Sequence, residues 1–188
     1  AKNTELADKI RPLALHGLSK DAWQRYSDTG YKHYYVTGAG FKYNMTDIQA
    51  AIGLQQLSDV EDFWLHREKL WERYQKAFKQ SSLKLPLISD KNTKHGYHLY
   101  TILIDQRFTG ISRDSCLAEL TKLNVGCGVH YLSLAEHPYY QENFGWKSEE
   151  YPNAKEIGEQ TLSLPLTSSL TFSEQDKVIS AVKSLLEK

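Results

Sequence analysis

The sequence predicts an α/β chain: one long helix leading into a small α/β sandwich. Three observations predict it. Apolar residues recur at helical spacing from Ile48 to Phe78, and no proline interrupts before Pro86. Beyond Pro86, short strand-like and helix-like stretches alternate with short links. The chain has 188 residues and is 40% apolar, which suits one domain with a real core or a domain plus an extension.

The elements follow in order. Asn3 or Thr4 caps a short helix to about Ile10, with Leu6 and Ile10 on one face and Pro12 as its stop. Leu13–Leu15 then reads as extended. Residues 18–42 are polar, aromatic and glycine-punctuated, a long excursion of the kind that usually serves function. Tyr26, Tyr31, Tyr34, Tyr35, Phe41 and Tyr43 lie along it, to pack on a partner or to bury locally. Thr46 and Gln49 form a capping box, and Asp47 suits the positive end of the helix dipole. The helix so opened should run to about Lys79, roughly 50 Å at 1.5 Å per residue. Its small residues Ala50, Ala51 and Gly53 allow a close backbone neighbour, against the bare alternative of a tolerated glycine. Then come a strand at 96–105 and a helix at 114–123 with Leu117, Leu120 and Leu123 inward. A strand at 126–134, a helix at 153–161 behind Pro152, and a strand at 162–166 follow. Thr171 and Glu174 make a second capping box, opening a last helix with Val178, Ile179, Val182, Leu185 and Leu186 inward.

Composition excludes several classes. Lys plus Arg and Asp plus Glu number 23 each, so the basic excess of a nucleic-acid protein is missing. No apolar run approaches the roughly 20 residues that span a bilayer. Cys116 and Cys127 form no CxxC pair and read as buried free thiols in a reducing, cytoplasmic setting. His95 with His98, and His130 with His137, match no zinc spacing, and neither a nucleophile elbow nor a phosphate-binding glycine loop occurs.

One cluster invites chemistry. Gly38 and Gly40 lead into Lys42-Tyr43-Asn44, immediately before a helix N-terminus. An ammonium, an amide and free backbone N–H groups suit a phosphate; a solvated surface lysine is the plain alternative.

The stretch GFKYNMTDIQAAIGLQQL, with LALHG before it and VGCGVHYLSLAEHPYYQENFG and LSLPLTSSLT after it, resembles the DegT/DnrJ/EryC1/StrS family of sugar aminotransferases that use pyridoxal phosphate. The resemblance runs in order along essentially the whole chain. It implies the C-terminal part of the aspartate aminotransferase fold: a long spine helix plus a small, mostly antiparallel sheet with helices. On that reading residues 1–45 end the large cofactor domain and carry a loop that reaches the dimer partner. Residues 46–80 form the connecting helix and 81–188 the small domain. The chain opens on Ala1, and the expectation is that an N-terminal part precedes it, carrying the Schiff-base lysine. No catalytic residue is then expected in this chain, and alone it should be inactive.

The resemblance also implies site residues. The family's loop before the long helix contacts the cofactor phosphate in the neighbouring subunit, which assigns Lys42, Tyr43 and Asn44 to cofactor binding. Many members carry asparagine where Lys42 stands, which leaves open whether Lys42, Asn44 or both take the phosphate. His130 and Tyr131 match a segment bordering the active site and are expected near a nucleotide-linked sugar, unless His130 is simply a satisfied strand histidine. His16, in the LHG match, is expected to line the substrate entry. The implied enzyme is a homodimer with shared sites. It passes an amino group from glutamate, through pyridoxal phosphate, to a nucleotide-linked keto sugar; no metal, nucleic acid or membrane is involved. Rival readings are a dehydratase of the same family, a non-catalytic sensor or scaffold, and a stand-alone binding domain.

Overall fold

A computed structural model describes residues 3–19, 26–27, 30–31, 33–88, 90 and 92–186. The chain divides into two compact units, Ala1–Ser58 and Asp59–Lys188.

The first unit opens with α1, Thr4–Ala14, capped by the Asn3 side chain, whose Oδ1 accepts from the Leu6 amide at 3.1 Å. The helix runs past Pro12, contrary to the expected stop near Ile10, and takes in Leu13 and Ala14. Proline deletes only its own amide bond, and here the helix ends within a turn, so the loss is small. The excursion is not structureless. Its far side returns to pair with residues just after α1, through bridges Leu15–Lys42 and Leu18–Val36. A two-residue hairpin pairs β1, Tyr26–Ser27, with β2, Gly30–Tyr31. The side chains of Tyr26 and Tyr31 lie outside the described residues. Tyr35, Phe41 and Tyr43 are exposed.

Helix α2, Asp47–Phe78, has 32 residues, about 48 Å at 1.5 Å per residue, and contributes to both units. The Thr46 hydroxyl accepts from the Gln49 amide at 3.3 Å while Gln49 Oε1 accepts from the Thr46 amide at 2.9 Å, the reciprocal capping box. Its apolar stripe divides in two. Leu70, Trp71, Tyr74 and Phe78 are buried, whereas Ile48, Ile52 and Leu57 are 74%, 60% and 68% exposed. A Cβ on Gly53 would meet nothing within 4 Å, so no described residue exploits the small face.

In the second unit, β3, Tyr100–Leu103, pairs antiparallel with β4, Thr161–Leu164. Single bridges add Lys84 beside β3 and Gly128 beside β4. Tyr100, Ile102, Leu162 and Leu164 are all buried in the core. Against these strands lie α4, Arg113–Lys122, and α6, Pro152–Gln160, while α7, Phe172–Leu186, packs on α4 and sends Val178, Val182 and Leu185 into the same core. Two short helices, α3, Gln106–Thr109, and α5, Pro138–Phe144, were not foreseen. Both carry left-handed glycine C-caps, Gly110 and Gly145.

The strand predicted at 96–105 shrinks to four residues. Trp64 Nε1 donates to the His95 carbonyl at 2.6 Å and the Tyr97 amide donates to His95 Nδ1 at 3.0 Å, so 95–97 turns against α2 instead of pairing. The strand predicted at 126–134 reduces to the Gly128–Ser163 bridge. In α4, Cys116 and Leu120 face the core and Leu117 packs partly against it, but Leu123 is exposed as the C-cap. The second capping box forms, with Glu174 accepting from the Thr171 amide at 2.8 Å.

Arg113 is buried as a clamp. Its Nη1 donates to the carbonyls of Gly158 at 3.1 Å and Thr161 at 3.0 Å, fixing the junction of α6 and β4. Gly158 itself sits so close to the 132–133 backbone that a Cβ there would lie 2.8 Å from the Ser133 amide nitrogen.

Two outcomes follow for stability and reactivity. Phe78→Ala, at a fully buried site, should cost about 3–5 kcal/mol in urea unfolding. Burial pushes the Cys116 thiol up to about 11 and Cys127 up to about 12. Thiolate, the reactive form, is then scarce at pH 8. Iodoacetamide should spare both in the native protein and alkylate both in urea, as mass spectrometry would show.

Candidate functional site

In the first unit, the end of α1 builds a seat for residues 41–43. A helix leaves its last carbonyls without internal partners. Here Pro12 O accepts from the amides of Leu15 and Gly17, Leu13 O from Phe41 at 2.7 Å, and Ala14 O from Tyr43 at 2.9 Å. The His16 amide donates to Phe41 O at 2.9 Å, which sets His16 beside the Lys42 segment. His16 itself takes the left-handed conformation, φ 55°, and its side chain is exposed.

Glycines permit this crossing. Gly17 has φ 71°, and a Cβ on it would lie 1.8 Å from Gly38 O. A Cβ on Gly40 would lie 2.1 Å from the Gly17 nitrogen. Two backbones touch where any side chain would part them.

Beyond the crossing the chain is extended, and side chains alternate in direction. Phe41 and Tyr43 stack at 4.9 Å, only 4° from parallel, on one face. That alternation gives Lys42 and Asn44 the other face. No described residue hydrogen-bonds or pairs with the side chains of Lys42, Tyr43 or Asn44. Asn44 Oδ1 is also buried and unpartnered, an arrangement native proteins rarely leave standing. Two donors on that face fit a phosphate: a point charge at Lys42 and an amide at Asn44 that offers Nδ2 when turned over; the Tyr43 hydroxyl lies with Phe41 on the other face. The helix end contributes less than sequence reasoning implied. The capping box already uses the Thr46 and Gln49 amides, and Asp47 places a negative charge in the first turn.

His130 and Tyr131 belong to the second unit. His130 is half-buried, and its Nδ1 lies 2.9 Å from the Ser163 hydroxyl oxygen. Its ring covers Gly128, where a Cβ would come within 2.6 Å of Cε1. Tyr131 is exposed, and its ring meets the imidazole edge-on at 4.8 Å. Sequence reasoning missed Ser163; its signal was the alternation of Thr161 and Ser163 with Leu162 and Leu164 in one short strand. Among the described residues no cluster of His, Cys, Asp or Glu could hold a metal, and no helix is long and apolar enough to cross a membrane.

Comparison with known proteins extends this geometry. The pattern of the DegT/DnrJ/EryC1/StrS aminotransferase family matches residues 1–183. The spore coat polysaccharide biosynthesis protein SpsC of Bacillus subtilis is 43% identical over 185 residues, covering 97% of this chain and 47% of that protein. The PLP form of the putative sugar aminotransferase Spr1654 from Streptococcus pneumoniae superposes with a TM-score of 0.82 at 27% identity, over 100% of this chain and 45% of that one. Helicobacter pylori PseC, an aminotransferase involved in the biosynthesis of pseudoaminic acid, gives 0.81 at 25% identity, over 100% of this chain and 47% of that one. The chain spans about half the length of the relatives it matches.

The glycine crossing makes a discriminating prediction. Gly17→Ala combines a left-handed backbone, about 1–2 kcal/mol, with a steric clash, and Gly40→Ala clashes likewise. Both should abolish hydrogen-exchange protection at the Thr37 and Phe41 amides. Gly38→Ala, whose Cβ meets nothing within 4 Å, should retain it.

Proposed function

The chain belongs to the DegT/DnrJ/EryC1/StrS aminotransferase family, and on that premise we propose that it is the C-terminal portion of an aminotransferase dependent on pyridoxal phosphate. The proposed reaction moves an amino group from glutamate to a nucleotide-linked keto sugar. One observation carries the reading: the Lys42 and Asn44 side chains have no partner among the described residues, and the Asn44 amide oxygen is buried and left over. That tip is built for a ligand, and its chemistry is that of a phosphate grip.

When bound, pyridoxal phosphate supplies the carbonyl that takes up the amino group and the ring that accepts the electron pair. Lys42 and Asn44 hold its phosphate, both rather than one, because alternation sets them side by side. Tyr43, stacked on Phe41 on the opposite face, offers its hydroxyl to the cofactor as a separate contact. His130 and Tyr131 orient the sugar nucleotide, and His16 lines the route by which it enters. The proton-moving lysine belongs to the preceding part of the protein.

The tip serves a second copy of the protein in this reading, and the site is shared across a homodimer. The exposure of Ile48, Ile52 and Leu57 on the first turns of α2 supports that, since apolar side chains left uncovered together mark an interface. Residues 1–45, 46–80 and 81–188 are then cofactor-domain end, connecting helix and small domain. The likeness to a spore coat polysaccharide protein supports a polysaccharide-forming role.

Two measurements test this. Lys42→Ala in the complete enzyme should weaken cofactor retention on the order of ten-fold or more, the loss of one charge-assisted contact. Unchanged retention removes Lys42 from the grip. Mixing a subunit lacking the Schiff-base lysine with one carrying Lys42→Ala and Asn44→Ala should restore part of the activity. Heterodimers that form yet stay inactive would refute the shared site.

A further inference from the structure

The sheet of the second unit has two unlike faces. Tyr100, Ile102, Leu162 and Leu164 enter the apolar core. The alternate positions carry Thr101 and Ser163, set opposite each other by the cross-strand register, and Leu103 opposite Thr161. Small hydroxyl residues here leave room for an imidazole. His130 fills it, lying over Gly128, which is itself bridged to Ser163.

The result is a hydrogen-bonded chain. Thr101 Oγ1 lies 3.2 Å from Ser163 Oγ, and Ser163 Oγ lies 2.9 Å from His130 Nδ1. Ser163 is 4% exposed, so its hydroxyl must be satisfied within the protein. Two hydrogen arrangements fit these distances. In one, Thr101 donates to Ser163 and Ser163 donates to Nδ1. In the other, Nδ1–H donates to Ser163 and Ser163 donates to Thr101, whose own hydrogen then finds no acceptor among the described residues. Each arrangement leaves one hydrogen over, on Nε2 in the first and on Thr101 in the second; the first also keeps the tautomer that a free neutral imidazole side chain prefers, with its hydrogen on Nε2, so it is favoured.

We propose that Ser163, backed by Thr101, is a positioning residue that holds His130 as the neutral tautomer protonated on Nε2, so that the ring offers an N–H donor to an oxygen of the bound substrate. Nε2 has no partner among the described residues, which leaves this edge for a ligand. A donor there selects an acceptor: a carbonyl, hydroxyl or phosphate oxygen of the sugar nucleotide. The ligand part rests on the reading that His130 faces substrate; the tautomer part does not.

Nitrogen NMR of the histidine-labelled enzyme tests it, in the pH range where imidazole is neutral and without substrate. His130 is assigned by its loss in His130→Asn. The expected spectrum shows a bare Nδ1 and a protonated Nε2. Ser163→Ala should convert this to a mixture of both tautomers, and Ser163→Thr, which keeps the hydroxyl, should restore it. Should Ser163→Ala fail to fold, Thr101→Val, which removes the other acceptor open to the Ser163 hydrogen, should leave Nδ1 bare and Nε2 protonated. A protonated Nδ1 in the parent enzyme or in Thr101→Val, or a spectrum indifferent to the loss of the Ser163 hydroxyl, overturns the proposal. Separately, His130→Ala should raise KM for the keto sugar at least several-fold; an unchanged KM rejects the ligand role while the tautomer result stands on its own.

Discussion

A peptide group taken out of water must find a partner, and much of this chain is organised around that demand. The last carbonyls of α1 would be orphans, and the amides of Phe41 and Tyr43 meet them at 2.7 and 2.9 Å. The carbonyls of Gly158 and Thr161 fall between a helix and a strand, and the buried Arg113 guanidinium serves both. At each place an unpartnered carbonyl draws a segment of the candidate site into position. The first sets the Lys42 tip; the second fixes the strand that bears Ser163.

Glycine decides how closely the segments come. At Gly17 and Gly40 in the crossing, at Gly128 under the imidazole and at Gly158 against Ser133, a methyl group would collide with backbone or ring. The chain therefore places small residues where chemistry requires contact and large ones where it requires burial. Tyr74, which donates its hydroxyl to Pro165 O at 2.9 Å while its ring sits wholly within the core, does both.

What could be read from the sequence follows the same physics. Helix α2 was legible to within a residue at each end, because a capping box and an uninterrupted 3.6-residue period are strong local signals. α4, α6 and α7 were equally plain. The strands at 96–105 and 126–134 were overcalled, since aromatic and β-branched content marks extended chain without saying whether a neighbour offers hydrogen bonds. Of the site, the Lys42–Asn44 knot stood out through its punctuation by glycine and its capping box. Ser163 did not, for a serine between leucines acquires meaning only when Gly128 pairs with it and brings His130 overhead.

The divided stripe of α2 carries one more implication. Ile48, Ile52 and Leu57 are oily side chains facing water on the opening turns of an otherwise sound helix. In a cell, such surface is what chaperones grasp and what proteases and self-adhesion exploit. The lifetime of this polypeptide should therefore depend less on the strength of its own core than on how soon after synthesis that surface is covered.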